Sequence, residues 1–558
     1  MPPAQPRKFV FKQPTQQLRR GRRVYVAGFI RLNVTASDLT SALEQNIEQL
    51  QARIRELEGS SSKSTSPQPS ELEALDGALY PEAISSEPIE FLFHTSPRST
   101  ADLTLDFGDS FNLVASESYT TASLVDTFLS HSCRLGFFLN TERFRSSVFL
   151  SLPFGDSSRP AEALLNTVYL WGARLSRTSS VHQQHMFLQR AISQISADLS
   201  STMDYSNVLH IIQAELLLTT YFFHTNRFME AEMHLNGAVS LCLSCGLHKI
   251  RSCRPSYSPV LGVFSGKEVH LRPAKDPVEE GERINGFWTV FYLHRLLTVM
   301  LGTASASFGT LDNPELQIDT PWPMDMDHYE GGQDIVFTSY RTIDNFLAMN
   351  CYEQDQNSAI ALHVKSVILI HKAFCLHRKF KHGLKANELD SFTSECSSLD
   401  LVVTHFRSTI PFGDELQSRM NTVHALSSCA YMKLQTIFSH YGVAESQHKA
   451  VHLANSIIHI IRDSYSLDSS YGDSTLTIAC IAACQTLAEE QESIRASPAN
   501  PYPLDGYSKV HPGSYQDDRD WEQLVGSALS SGLETMMMMT EGCSLAGEFK
   551  PSLDAFPT

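Results

Sequence analysis

Cys242 and Cys245 stand three residues apart in SLCLSCGLHK, a spacing that serves zinc ligation or dithiol chemistry elsewhere. Their surroundings favour neither use. The run MHLNGAVSLCLSCGL carries apolar residues at helical spacing and no second pair at zinc-finger distance, which points to packing cysteines. Cys480 and Cys484, one turn apart in LTIACIAACQTLAEE, read the same way. His182 and His185 in VHQQH are spaced as metal ligands, yet they open a polar helix start with no carboxylate nearby. Asp325, Asp327 and Glu330 lack the calcium-loop pattern with its central glycine and terminal glutamate, and read as a solvated acidic loop. His371 and His377 flank Cys375 in LIHKAFCLHRKF, and a thiol beside an imidazole suits nucleophilic catalysis. A helix with a basic end explains the same residues with less machinery. No phosphate-binding loop, G-x-G-x-x-G, H-E-x-x-H or G-x-S-x-G occurs. The expectation is a protein that is not an enzyme, with no catalytic residue, no cofactor site and no metal site.

Charge is distributed unevenly. Residues 1–31 hold eight Lys or Arg and no Asp or Glu, while the chain as a whole is −17, so everything after Arg31 sums to −25. Such a body does not attract phosphate, and only the basic head offers cations to nucleic acid. Arg19, Arg20, Arg22 and Arg23 form a patch suited to DNA-phosphate contact or nuclear import, with a solubilising tail as the other reading. The 42% hydrophobic content, 31 Phe and 18 Tyr describe a folded protein. Eleven scattered cysteines make a poor disulfide framework, and neither a secretory signal nor an uninterrupted apolar run of membrane length is present. The expectation from these features is an intracellular protein with no membrane partner.

The elements that position these residues follow from periodicity. Leu43, Ile47, Leu50, Ile54 and Leu57 are spaced four, three, four and three, with isoleucine at a and leucine at d, the pattern of a parallel two-stranded coiled coil. Arg53 and Glu58 fall at g and e. The run covers barely two heptads, so an ordinary amphipathic surface helix stands as the alternative. A bZIP arrangement fails, because LNVTASDLTSA carries no cation between the basic patch and the zipper. The organisation read from these cues is a basic segment at 1–38, a coiled-coil helix at 39–58, and a Ser/Pro-rich acidic linker at 59–109. A helical domain at 110–495 and a flexible tail with a short helix at 496–558 complete it.

Within the large domain, apolar positions recur at three and four spacing with no sustained alternation, so the fold class is all-α. Leu164, Leu165, Val168 and Trp171 form one stripe, and Phe187, Ala191, Ile195 and Leu199 another. SNVLHIIQAELLLTTYFFHTN and FMEAEMHLNGAVSLCLSCGL read as a helical hairpin. Later helices are expected over 283–302, 333–351, 357–379, 415–440, 443–464 and 471–494.

Three segments carry a resemblance: FMEAEMHLNGAVSLCLSCGLHKI (228–250), GERINGFWTVFYLHRLLTVMLGTASASF (281–308) and IDTPWP (318–323). In that order they resemble the helical regulatory domain of fungal zinc-cluster transcription factors, the middle homology region found in xylanolytic activators. The family places an acidic residue and an arginine before a tryptophan-bearing helix, matched here by Glu282, Arg283 and Trp288. Its glycine at the helix end is matched by Gly302. His294-Arg295 replaces the usual Asp-Arg, which leaves any ion pair there in question and the helix intact. Without the family, Arg295 reads as a buried hydrogen-bonding partner among core aromatics.

The resemblance implies a nuclear regulator of RNA polymerase II transcription. It would be a homodimer or heterodimer through the zipper, and would contact DNA and transcriptional co-regulators. It also implies a six-cysteine cluster holding two zinc ions before the zipper. Residues 1–132 contain no cysteine, and no histidine precedes His94, so the zinc site is absent from this stretch. A headless regulator, a spliced product and a gene model that skipped an exon are all consistent with that, and sequence-specific DNA binding by this chain is doubtful. The alternative is a helical scaffold acting through protein contacts without DNA. If the stalk dimerises, sedimentation of residues 1–110 will show a dimer that Leu50→Glu converts to monomer by placing a charge in the seam. Two monomeric fragments at tens of micromolar would show that the stalk does not act alone.

Overall fold

The computed structural model describes residues 121–153, 156, 158–176, 181–201, 207–253, 271–302, 311, 316–332, 339–350, 358–411, 417–467, 474–496 and 514–539. The chain divides into two units, Met1–Leu105 and Asp106–Thr558, and every described residue lies in the second. The basic patch, the coiled-coil residues and the linker lie outside the described residues.

The fold is all-α. Its helices are α1 (121–129), α2 (Thr141–Val148), α3 (Glu162–Leu175), α4 (Val181–Ser201), α5 (Val208–His224), α6 (Phe228–Ser244), α7 (Pro277–Leu301), α8 (Met326–Glu330), α9 (Thr342–Leu347), α10 (Ala359–His382), α11 (Leu389–Thr409), α12 (Gln417–His440), α13 (Ala444–Leu467), α14 (Ser474–Ala496) and α15 (Ser514–Met539). The extended pairing among the described residues is an isolated parallel bridge between Ser252 and Ser339.

Helices α3 to α6 form two successive hairpins that pack on each other, and the second of them, α5–α6, is the hairpin expected from 206–226 and 228–247. Helix α5 is buried from Val208 to His224 save for His210 and carries few charges, the pattern of a helix enclosed on all sides. Helix α7 packs on α5 and α6 on one side and on α10 on the other. Helix α10 in turn packs on α11 and on α12, which opens a bundle with α13, α14 and α15. The pair α7–α10 is therefore the spine joining the amino-terminal hairpins to the carboxy-terminal bundle. By length and composition α10 could cross a membrane, but most of it is buried in the protein and it carries Lys365, Lys372 and Arg378.

Local chemistry sets the ends of the spine. Asp276 accepts the Glu279 N–H at 2.9 Å, Pro277 occupies the first turn of α7, and Gly302 closes it at φ 61°. A side chain at Gly302 would meet open space, so the left-handed backbone is what calls for glycine there. The Ser358 Oγ accepts the Ala361 N–H at the start of α10.

Three expectations need correction. The helix foreseen at 333–351 is reduced among the described residues to α9. Ser339 pairs with Ser252 and Arg341 sits at φ 46°, because a carboxylate described below takes its N–H. Tertiary pairing there outweighs helical periodicity. The acidic stretch at 325–330 is not simply a loop: Met326–Glu330 is one helical turn with Tyr329 buried beneath it. The tail helix is not short. It spans 26 residues and docks on the bundle through Arg462–Glu534 at 2.9 Å and Trp521 Nε1 to Glu490 at 3.1 Å. The described helical body thus reaches past 495.

Gly172 tests the close packing of α3 on α1. A Cβ there would fall 2.2 Å from the Leu124 carbonyl oxygen, backbone that cannot rotate aside. Gly172→Ala should destabilise the domain by roughly 2–3 kcal/mol in urea unfolding. Unchanged stability would show that the two helices slide apart freely.

Candidate functional site

Three segments distant in sequence meet at Asp319 and Thr320. Leu247 and His248 lie in the turn that ends the α5–α6 hairpin. The His248 carbonyl accepts the N–H groups of Asp319 (2.9 Å) and Thr320 (3.3 Å), and the Leu247 carbonyl accepts the Thr320 hydroxyl. The Asp319 side chain is fully buried. Its carboxylate accepts Ser252 Oγ at 2.6 Å, the Arg341 N–H at 2.9 Å and Lys249 Nζ at 3.1 Å. Burial works against ionisation, yet the Ser252, Arg341 and Lys249 donors hold this carboxyl below its ordinary range. Thr342 completes the knot. Its hydroxyl donates to the Thr320 carbonyl at 2.9 Å and its N–H to the Ile318 carbonyl at 2.9 Å.

The next residues seat the knot on the spine. Trp288 of α7 is fully buried and donates its indole N–H to the Pro321 carbonyl at 2.6 Å. Its ring stacks on Trp322 with centroids 4.8 Å apart, and Trp322 meets Phe346 of α9 edge-on at 5.8 Å. Lys365 of α10 places its ammonium 4.9 Å from the Trp322 centroid. Asn285 donates to the Met324 carbonyl at 3.1 Å. Gly281 admits the Tyr329 ring, which would lie 2.4 Å from any Cβ there. The described residues of the segments 228–250, 281–308 and 318–323 are therefore parts of one joint.

The other signature residues brace this joint. Glu282 accepts the Asn140 N–H at 2.8 Å, while the Asn140 side chain caps α2 and donates to Glu330. Burial pushes the Glu282 carboxyl up to about 7, against the pull of the Asn140 N–H and Arg143. Arg283 pairs with Glu279 at 2.6 Å rather than with Glu282, and donates to the Arg272 carbonyl. Arg295 is buried, donates to the Leu311 carbonyl at 3.1 Å, and lies over the Phe291 ring at 4.9 Å. The Gly302 carbonyl accepts Arg378 at 3.0 Å.

The remaining sequence candidates are scattered. Cys242 and Cys245 are buried, and burial pushes both thiols up. Cys480 and Cys484 are fully buried in α14 beneath Gly532. His182 and His185 are exposed in the first turn of α4. Asp327 and Glu330 are exposed, and Glu330 is engaged by Asn140. His371 Nε2 lies 3.8 Å from Cys375 Sγ, whereas His377 faces Thr436 at 3.2 Å, so the structure brings only one imidazole to that thiol. Among the described residues no three His, Cys, Asp or Glu side chains are gathered to hold a metal ion. Neither they nor residues 1–132, which lack cysteine, fit a six-cysteine zinc cluster. Arg19, Arg20, Arg22 and Arg23, and the seam Leu43, Ile47, Leu50, Ile54 and Leu57, lie outside the described residues. Asp319, Thr320 and Asn140 were not singled out as site residues by sequence reasoning; Asp319 and Thr320 were visible only as part of IDTPWP.

Residues 125–398 match the family described as the fungal specific transcription factor domain, a span that contains the whole joint. Comparison with curated proteins and with solved structures finds no match.

Glu282 makes stability depend on pH. Between about 4.5 and 7 the folded chain keeps a proton that the unfolded chain has released, so this group's contribution falls as pH rises through that window. Glu282→Gln keeps an acceptor for Asn140 and removes the buried charge. It should stabilise the chain by about 1–3 kcal/mol at pH 8 and little at pH 4.5, measured by urea unfolding. An equal effect at both pH values would contradict the assignment.

Proposed function

We propose that this chain, which carries a fungal specific transcription factor domain over residues 125–398, regulates RNA polymerase II transcription in the fungal nucleus. The observation that carries the reading is the family match, whose domain is regulatory rather than enzymatic. The convergence of the three signature segments on one joint inside the matched span supports it. The charge division adds support, since a basic head on an acidic body suits contact with DNA at one end and with co-regulators elsewhere.

In this reading Leu43, Ile47, Leu50, Ile54 and Leu57 join two chains, with the partner a second copy or a related regulator. Arg19, Arg20, Arg22 and Arg23 supply phosphate attraction. A base-reading element is not evident in residues 1–31, so DNA binding by this chain is weak, salt-sensitive and largely independent of sequence. Promoter specificity then comes from a partner or from a zinc-cluster segment encoded upstream of the zipper.

Chromatin immunoprecipitation of the tagged full chain tests the reading. Nuclear residence and enrichment at a set of promoters, lost when residues 125–398 are deleted, is the expected result. Purified protein should bind promoter and scrambled duplexes equally, and the affinity should fall steeply with salt. Exclusion from nuclei would replace this reading with the cytoplasmic scaffold. Transcripts encoding six cysteines at zinc-cluster spacing around codons 15–35 would restore a specific DNA-binding head.

A further inference from the structure

A cavity of about 980 Å³ lies among the carboxy-terminal half of α7, α9, α10 and α11, within the range of small-molecule sites. Its apolar walls include Phe291, Leu316, Leu347, Ile368 and Leu399. Four cations line it, Arg295, Arg341, Lys372 and Lys379, against two carboxylates, Asp344 and Glu395. That is a local excess of two positive charges on a chain whose net charge is −17. Both carboxylates are already engaged: Asp344 with Arg341 at 3.1 Å and Glu395 with Lys379 at 3.2 Å. Lys372 meets no carboxylate among the described residues, and Arg295 brings a buried guanidinium to the same wall.

His371 also lies in the lining. Burial, with Arg295, His294, Lys372 and Arg378 around it, holds its imidazole well below the ordinary range, so it stays neutral beside the cations. Arg295 is buried, so an ion contact made there is less screened than one at the surface.

We propose that this cavity binds a small amphipathic organic anion, with its carboxylate at Arg295 and Lys372 and its apolar body along Phe291, Ile368 and Leu399. Cationic and neutral analogues of the same length meet the same walls but lose the charge contact. Helix α9 lines the cavity and is tied to the Asp319 joint through Arg341 and Thr342, so an occupant would brace α9 and α11 against the spine. That consequence for regulation rests on the transcriptional reading, whereas the binding site does not.

The test uses the purified full chain without DNA, so its failure leaves the transcriptional reading standing. Decanoate, 1-decanol and decyltrimethylammonium are titrated by calorimetry, and alkylation of Cys375 by N-ethylmaleimide is followed by peptide mass spectrometry. Cys375 lines the cavity, while Cys133 and Cys253 are exposed and serve as internal controls. Decanoate should bind at least about tenfold more tightly than either analogue, and should slow alkylation at Cys375 alone. Lys372→Glu, at an exposed rim position, should weaken decanoate about tenfold or more. Ser398→Trp, on the exposed face of α11, should abolish binding by filling the mouth. Arg190→Glu on α4, outside the lining, should change nothing. Absence of decanoate binding, equal affinity for the three probes, alkylation unprotected at Cys375, or parental affinity in Lys372→Glu would each overturn the proposal.

Discussion

The Asp319 carboxylate sits with no solvent contact and collects donors from Lys249, Ser252 and the backbone of Arg341. Those donors come from residues 249–252, just after the second hairpin, and from the residue before α9. A buried carboxylate is tolerated only where its lone pairs are satisfied, so these stretches cannot separate without leaving a charge stranded. The strand-like pairing of Ser252 with Ser339 and the left-handed Arg341 follow from that demand. One ionised side chain thereby sets the course of chain on both sides of the spine.

The consequences run outward from this point. Thr320 and Pro321 carry the constraint to Leu247 and to Trp288, and Trp322 carries it to Phe346 and Lys365. Helix α7 is thus held against α10 by an aromatic and cationic stack as well as by aliphatic packing. The same arrangement leaves a cavity on the far half of the spine, walled by α9 and α11. Joint and cavity share Ile318 and Arg341, which makes the cavity walls depend on the joint.

Much of the architecture was legible in the sequence because helical periodicity survives burial. Helices α5, α6, α7, α10, α12, α13 and α14 lie where apolar spacing puts them, to within a few residues outside α7, which begins six residues early. Trp288 and Arg295 were readable as buried members of a helix face. What was not legible depended on partners distant in sequence. Nothing local marks Asp319 as a buried acceptor rather than one more loop acid, and its donors lie about 20 and 70 residues away along the chain. Arg341 sits in a segment with helical spacing whose backbone is claimed by that carboxylate. The docking of α15 was hidden for the same reason, since Trp521 and Glu534 find their partners on α13 and α14. Glu282 was recognised from its motif, but its elevated pKa arises from burial against α2, which a motif does not show.

Native-state hydrogen exchange of Asp319→Asn against the parent chain addresses the central claim most directly, since the amide keeps the size of the side chain and removes the charge. Loss of protection should extend together through residues 247–253, 318–322 and 339–347, with α12 to α15 unchanged. Loss confined to residues 318–320, or spread evenly over the whole domain, would contradict the view that this carboxylate joins the segments.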